Sequence, residues 1–225
     1  MHKVTDIAID FIDSNPPGAS LSARCWHEGT ATKRMLALVG TLTMLYAQPF
    51  IERRKVLADI VKIHDSIQKH AALIIDPRQY IQTGNHGLRQ DVYLYTAGSI
   101  INRVTGNCTW ADLAKQRIRT SQIARGIGPD GAWCEHSAVY HIFVMTLLSK
   151  NLQDARAMSD DEHSQFLVGV LEKMLAHLRL ILNDNFRLPW IGDTGVDKSS
   201  YQAFMATTKR NISPPTAGVD HSSAG

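Results

Sequence analysis

The chain has 225 residues, 44% of them hydrophobic and 20% charged, which is enough to bury one core of ordinary size and too apolar for disorder throughout. Its 24 Lys and Arg against 21 Asp and Glu leave a net charge of +3; the basic residues are scattered, so the clustered footprint of a nucleic-acid binder is missing while an acidic ligand is compatible. Cys25, Cys108 and Cys134 are widely spaced with no CxxC pair, which indicates neither a disulfide framework nor a zinc ribbon.

The first residues, MHKVTDIAIDFID, carry acids where an export signal needs an unbroken apolar run, so no signal is visible. Val4, Ile7, Ile9, Phe11 and Ile12 predict a short first helix, which SNPPG at 14–18 must end because proline restricts the residue before it. A helical pattern runs from about Thr30 to Tyr46. Its apolar stretch at 35–46 is too short to span a bilayer and reads as a buried helix, so no membrane insertion is expected. Beyond Pro49, the recurrence of Val56, Ile60, Ile63, Ile67, Ala71 and Ile74 predicts one helix from Ile51 to Ile75, stopped by Asp76-Pro77.

A further helix is expected from about Leu88 to Val104, ended by the TGN turn at 105–107. Thr109 is the expected N-cap of the next, which reaches about Arg125. GIGPDG at 126–131 forms a loop, and a helix follows from about Cys134 to Lys150. Ser159 and Glu162 have capping-box spacing and open a long helix that ends near Asn183. Seven or eight helices joined in pairs, with almost no alternating pattern, predict an all-α array. The last segment, 211–225, has the composition of a flexible tail.

Three segments place polar groups at expected helix mouths: GNHG at 84–87, GPDGAWCEHSAVYH at 128–141 and RLPWIGDTG at 187–195. A turn between Gly84 and Gly87 requires only permissive backbone, so Asn85 and His86 call for a separate explanation. Alone they read as a turn residue and a helix cap; with the other motifs they read as a site. Tyr140 on an apolar face would ordinarily be core, but His136, four residues earlier, would share its face. Asp130 and Glu135 read equally as a turn former and loop acid or as functional carboxylates. Trp26, Trp133 and Trp190 are buried aromatics or sugar platforms, and Asp193 is a loop residue. His86 and His141 lack HExxH spacing, and there is no phosphate loop or GxSxG elbow. Neither a metal nor a cofactor is expected.

NHG after a helical hairpin, then DG-x-W-x-E-x-S-x-x-Y-H, then LP-x-IGD resembles the heparinase II/III family of polysaccharide lyases and its alginate and oligoalginate relatives. DFIDSNPPG, with Trp26 and Arg34 beyond it, is similar to that family's entry into its helical toroid. The resemblance covers roughly residues 8 to 200. It implies an incomplete (α/α) toroid over residues 1–210, built from helical hairpins, that binds an acidic polysaccharide and cleaves it by β-elimination. Asn85, His86 and Tyr140 match the family's catalytic positions, and Trp26, Arg34, Glu135 and His141 are expected to bind substrate. In that chemistry the C5 proton of a uronic acid is removed, so charge develops on its carboxylate and a preorganised donor such as an amide must meet it. Tyrosine and histidine are able to move the protons.

The sequence departs from the family in two ways. Pro-Gly commonly precedes the tyrosine; Ala138-Val139 stands here, so the helix is expected to begin earlier and to reorient Tyr140. Family members also continue into further helices and a C-terminal β-sandwich that contributes another catalytic residue and any structural metal. The chain is therefore expected to be a fragment or truncated member lacking that sandwich in cis, and a full-length parent with a signal would be periplasmic or extracellular. Two other readings stay open: a glycoside hydrolase on a similar toroid, using a carboxylate pair from Asp130, Glu135 and Asp193, and a non-catalytic glycan-binding or capsule-associated protein.

Overall fold

The structure, a computed structural model, describes residues 2–17, 25–106, 109–182, 188–189 and 191–192. Among them the architecture is all-α. Helix α1 spans His2–Ser14, α2 Glu28–Tyr46, α3 Phe50–Lys55, α4 Leu57–Ile75, α5 Asn85–Thr105 and α6 Trp110–Arg117. A π-helical turn, Ile118–Ile123, carries α6 into the single turn α7, Ala124–Gly126, and α8 (Ala138–Ala157) and α9 (Asp161–Ile181) follow. The helices pack as hairpins, α2 on α4, α5 on α6 and α8 on α9, while α2, α5 and α8 lie side by side in one row. This is the expected incomplete (α/α) toroid. The predicted 211–225 tail, Cys108, Trp190 and Asp193 lie outside the described residues.

Apolar spacing sets the packing. Met35, Leu42, Ile63, Ile67 and Tyr95 build one core between α2, α4 and α5, and Leu88, Val92, Met145, Leu148, Leu171 and Met174 build a second between α5, α8 and α9. Helix α5 contributes to both, which is why Gln90, Asp91 and Thr96 are buried with its apolar residues. The direction of the row is fixed by its ends: Arg103 of α5 donates to the Ala157 carbonyl at the end of α8, so the two helices run parallel.

Several boundaries differ from expectation. The single helix predicted over Ile51–Ile75 is broken at Val56, whose φ of −110° and ψ of 20° leave the helical region. Arg53 donates to the Tyr46 carbonyl at 2.7 Å and draws α3 toward the end of α2, while the apolar period continues across the break. The long last helix is capped by Asp160 rather than Ser159: Asp160 accepts from His163 N at 3.2 Å, and Ser159 sits at φ 58° outside the helix. Thr109 does precede α6, but its side chain makes no capping bond.

The loop that delivers the chain to α5 is fastened by buried polar groups. Tyr80 donates to Asp91 at 2.8 Å, and Gln122 donates to the Tyr80 hydroxyl at 2.8 Å and to the Ile81 carbonyl at 3.0 Å. Gln122 is wholly buried and projects from the π-helical turn, an irregularity that recurs at functional sites. Burial pushes the Asp91 carboxyl up to about 7, against the lowering exerted by Tyr80, Arg117 and Gln122. Arg117 lies 3.9 Å from Asp91 and covers the Tyr80 ring at 3.9 Å. Gly87 completes the fastening by letting the loop pass close. A Cβ there would collide with the Ile81 carbonyl and stand 2.6 Å from Gln122 Nε2.

Gly87→Ala should therefore destabilise the fold by roughly 2 to 4 kcal/mol, the range for forcing a methyl into packed atoms. Gly169→Ala, inside α9 with nothing within 4 Å of the new Cβ, should stabilise it by up to about 1 kcal/mol. Urea unfolding of both variants checks the pair; equal effects would contradict the close-approach account.

Candidate active site

A helix leaves its first N–H groups without intrahelical partners, and its dipole makes that end positive. Because α2, α5 and α8 run parallel, three such ends gather at one mouth of the row, a setting that attracts anions. Ser137 caps α8, its hydroxyl accepting from Tyr140 N at 3.4 Å. Helix α5 has no local side-chain cap, because Gly84 occupies the position at φ 100°. The cap comes instead from Glu135, 50 residues away: one oxygen accepts from Asn85 N at 3.1 Å and the other from Asn85 Nδ2 at 2.8 Å. A Cβ on residue 84 would stand 3.0 Å from Glu135 Oε1, so this glycine gives both the left-handed turn and the room for the carboxylate.

Two expectations are corrected here. Helix α5 begins at Asn85, not near Leu88, because a distant carboxylate supplies its cap. Asn85 is 8% exposed and opens the helix, so it is not the plain turn residue that its glycine-flanked setting suggests alone. Its amide nitrogen has two hydrogens; Glu135 takes one, and no other partner for the side-chain amide occurs among the described residues.

His86 lies in the same first turn and is half exposed. Its Nδ1 is 2.8 Å from Glu28 Oε1 at the start of α2 and 3.2 Å from Arg89 one turn along α5. The Glu28 side chain is only 10% exposed, and its other oxygen is 2.6 Å from His27 Nδ1. Burial raises the Glu28 carboxyl, but hydrogen bonds from His86 and Gly29 and the charges of His27 and His86 bring it below its ordinary value. Neither Glu28 nor Arg89 stood out in the sequence. The three-residue spacing of His86 and Arg89 was a readable signal; nothing local pointed to Glu28.

Tyr140 stands in the first turn of α8, five residues beyond Glu135. Its ring packs against the second core cluster, and its hydroxyl makes no hydrogen bond among the described residues. The absence of Pro-Gly does not lengthen the helix as expected. It begins at Ala138, later than the predicted Cys134, because His136 takes φ 49° and Ser137 is extended. His136 is thus outside the helix and does not share a face with Tyr140.

The remaining candidates are engaged elsewhere. His141 is 3% exposed, and its Nε2 donates to the Met174 carbonyl at 3.0 Å, joining α8 to α9. Burial lowers it to about 4, so it is neutral. It lines a cavity of about 570 Å³ with Trp133 and His177. Trp133 is 2% exposed and is a core aromatic, not a platform. Arg34 spans α1, α2 and α4: it donates to the Cys25 carbonyl at 2.8 Å, reaches His70 Nε2 at 3.2 Å and covers the Phe11 and Trp26 rings at 4.1 and 5.7 Å. Trp26 also stacks on His70, with centroids 4.5 Å apart. This cluster closes the start of the array and joins neither the Glu28–His86 contact nor the Asn85–Glu135 contact. Asp130 accepts from Ala132 N at 3.1 Å, as a turn former does. Among the described residues no group of three or more His, Cys, Asp or Glu is arranged to hold a metal ion, and no helix is long and apolar enough to cross a membrane.

Asn85→Ala and Glu135→Ala should each cost roughly 1 to 3 kcal/mol, the range for losing a hydrogen-bonded charge or a helix cap. The double variant should cost clearly less than the sum, since either change breaks the same contact. Additive losses in denaturant unfolding would contradict the shared cap.

None of the curated proteins compared matches the chain. Two solved structures, heparan sulfate lyase HepC from Pedobacter heparinus and a mutant of it, superpose with a TM-score of 0.69 at 21% identity. The superposition covers 92% of this chain and 32% of that one, so the chain spans about a third of the lyase's length and the likeness is one of fold. The profile described as Heparinase II/III N-terminus matches residues 6–213, and the chain belongs to that family.

Proposed function

We propose that this chain is the helical part of a polysaccharide lyase that cleaves a uronate-containing glycan by β-elimination, with Asn85, His86 and Tyr140 at the reacting sugar. The observation that carries the reading is Asn85 itself, pinned by Glu135 at the common positive mouth of three helices with one amide hydrogen left to offer. A uronate carboxylate docked there meets that amide and the helix ends, which stabilise the charge that grows as the C5 proton leaves. His86 and Tyr140, in the first turns of α5 and α8, serve as the groups able to exchange protons with C5 and the leaving O4. Glu135 acts through Asn85 in this scheme rather than on the sugar. Family membership and the fold shared with a heparan sulfate lyase support an acidic polysaccharide as the substrate class. Exported placement of the parent protein belongs to the same proposal.

The test is spectroscopic. Elimination leaves a C4–C5 double bond conjugated to the carboxylate, so ultraviolet absorbance should rise when heparan-type, glucuronan or alginate polymers are added to this chain extended to the length of the related lyase. Asn85→Ala should lower that rate about a hundredfold, comparable to losing one oxyanion donor. New reducing ends without an absorbing product would replace the reading with a hydrolase, and saturable binding without turnover would replace it with a glycan-binding protein.

A further inference from the structure

The contacts of His86 contain a conflict that a hydrogen on Nδ1 resolves. Its Nδ1 is within hydrogen-bond distance of a carboxylate oxygen, Glu28 Oε1 at 2.8 Å, and of a guanidinium nitrogen, Arg89 Nη2 at 3.2 Å. A nitrogen bearing hydrogen donates to the carboxylate but leaves nothing for arginine; a bare nitrogen accepts from arginine but turns its lone pair on the carboxylate. The carboxylate is the closer partner. It is also largely shielded from water, with His27 Nδ1 2.6 Å from its other oxygen. Arg89, 3.9 Å from the same Glu28 oxygen, has a second way to use its charge, as a neighbour of the carboxylate.

We infer that Glu28, an acid of α2 far from the recognised motifs, is a positioning residue: it holds a hydrogen on His86 Nδ1, so that the neutral ring leaves Nε2 bare for the mouth. This rests on the lyase reading for its purpose but not for its geometry. A histidine whose far nitrogen is set by a carboxylate has a defined tautomer and ring orientation. With Nε2 bare, His86 accepts a hydrogen bond or a proton from the sugar; with the opposite tautomer it is able only to donate. Arg89 then serves to balance Glu28 rather than to set the imidazole.

Nitrogen-15 NMR of the imidazole rings separates these roles without any substrate, because protonated and bare ring nitrogens differ widely in chemical shift. His86, assigned by its loss in His86→Gln, should show hydrogen on Nδ1 at a pH where it is neutral. Glu28→Ala should shift the population toward Nε2–H, Glu28→Gln should retain part of the native pattern through its amide oxygen, and Arg89→Ala should leave it unchanged. Nε2–H in the native protein, or a tautomer that follows Arg89 and ignores Glu28, would overturn the inference whether or not the protein is a lyase. On an active extended chain, Glu28→Ala should lower kcat by roughly a hundredfold, the scale of misplacing one acid–base group, with KM within about threefold. A fall in melting temperature matched by loss of all binding, with the tautomer unmoved, would make Glu28 merely structural.

Discussion

One carboxylate closes the end of the fold at which α5 begins. Glu135 reaches from the loop before α8 to the first residue of α5 and binds both its backbone and its side-chain amide. A helix end with a glycine at its cap position would otherwise leave donors open to water and fray. The contact satisfies two donors, joins elements 50 residues apart and spaces α8 beside α5. It also leaves Gly84 no freedom to be another residue, since the left-handed turn and the oxygen 3.0 Å from its missing Cβ both require glycine. The buried Tyr80, Asp91, Gln122 and Arg117 group works from the other side, holding the loop that brings the chain to that turn.

The hairpin architecture then sets this local cap at a mouth shared by three helices. Alternating helix directions put the starts of α2, α5 and α8 together, so their partial positive charges add over one mouth. Asn85, His86 and Glu28 gathered there stand on the first turns of helices, and Glu135 joins them from the loop before α8. The cost is the presence of acids, Glu28 and Glu135, in a region suited to anions. Both are occupied: Glu135 by Asn85, and Glu28 by His27, His86 and Arg89. Acids saturated with donors repel an incoming carboxylate less than free ones, and each spends its charge on orienting a neighbour.

Much of the fold was legible because it depends on local spacing. Isoleucines and leucines at helical intervals marked α2, α4, α5, α8 and α9, and proline and glycine marked most of the breaks. The errors fall where a distant group decided the outcome. Helix α5 starts three residues early because of Glu135, and α8 starts late because His136 and Ser137 turn the chain. Asn85 and His86 were singled out in the sequence between two glycines, and the structure sets both in the first turn of α5. Glu28 was not legible, since an acid in a first helical turn is ordinary and its partner is 58 residues away. Trp26, Arg34 and His141 carried the right chemistry for binding a sugar acid, and in the fold their contacts lie with α1, α4 and α9 instead of with Asn85 and His86.

The central claim is that the amide of Asn85, held by Glu135, is where an acidic sugar's carboxylate docks. The direct measurement is a crystal structure of the extended Tyr140→Phe protein soaked with a uronate oligosaccharide. The account predicts a sugar carboxylate about 3 Å from Asn85 Nδ2, with the Glu135 contact intact and His86 Nε2 facing the same residue. A uronate bound along another face, with Asn85 untouched, or an Asn85 that abandons Glu135 to bind it, would contradict the account.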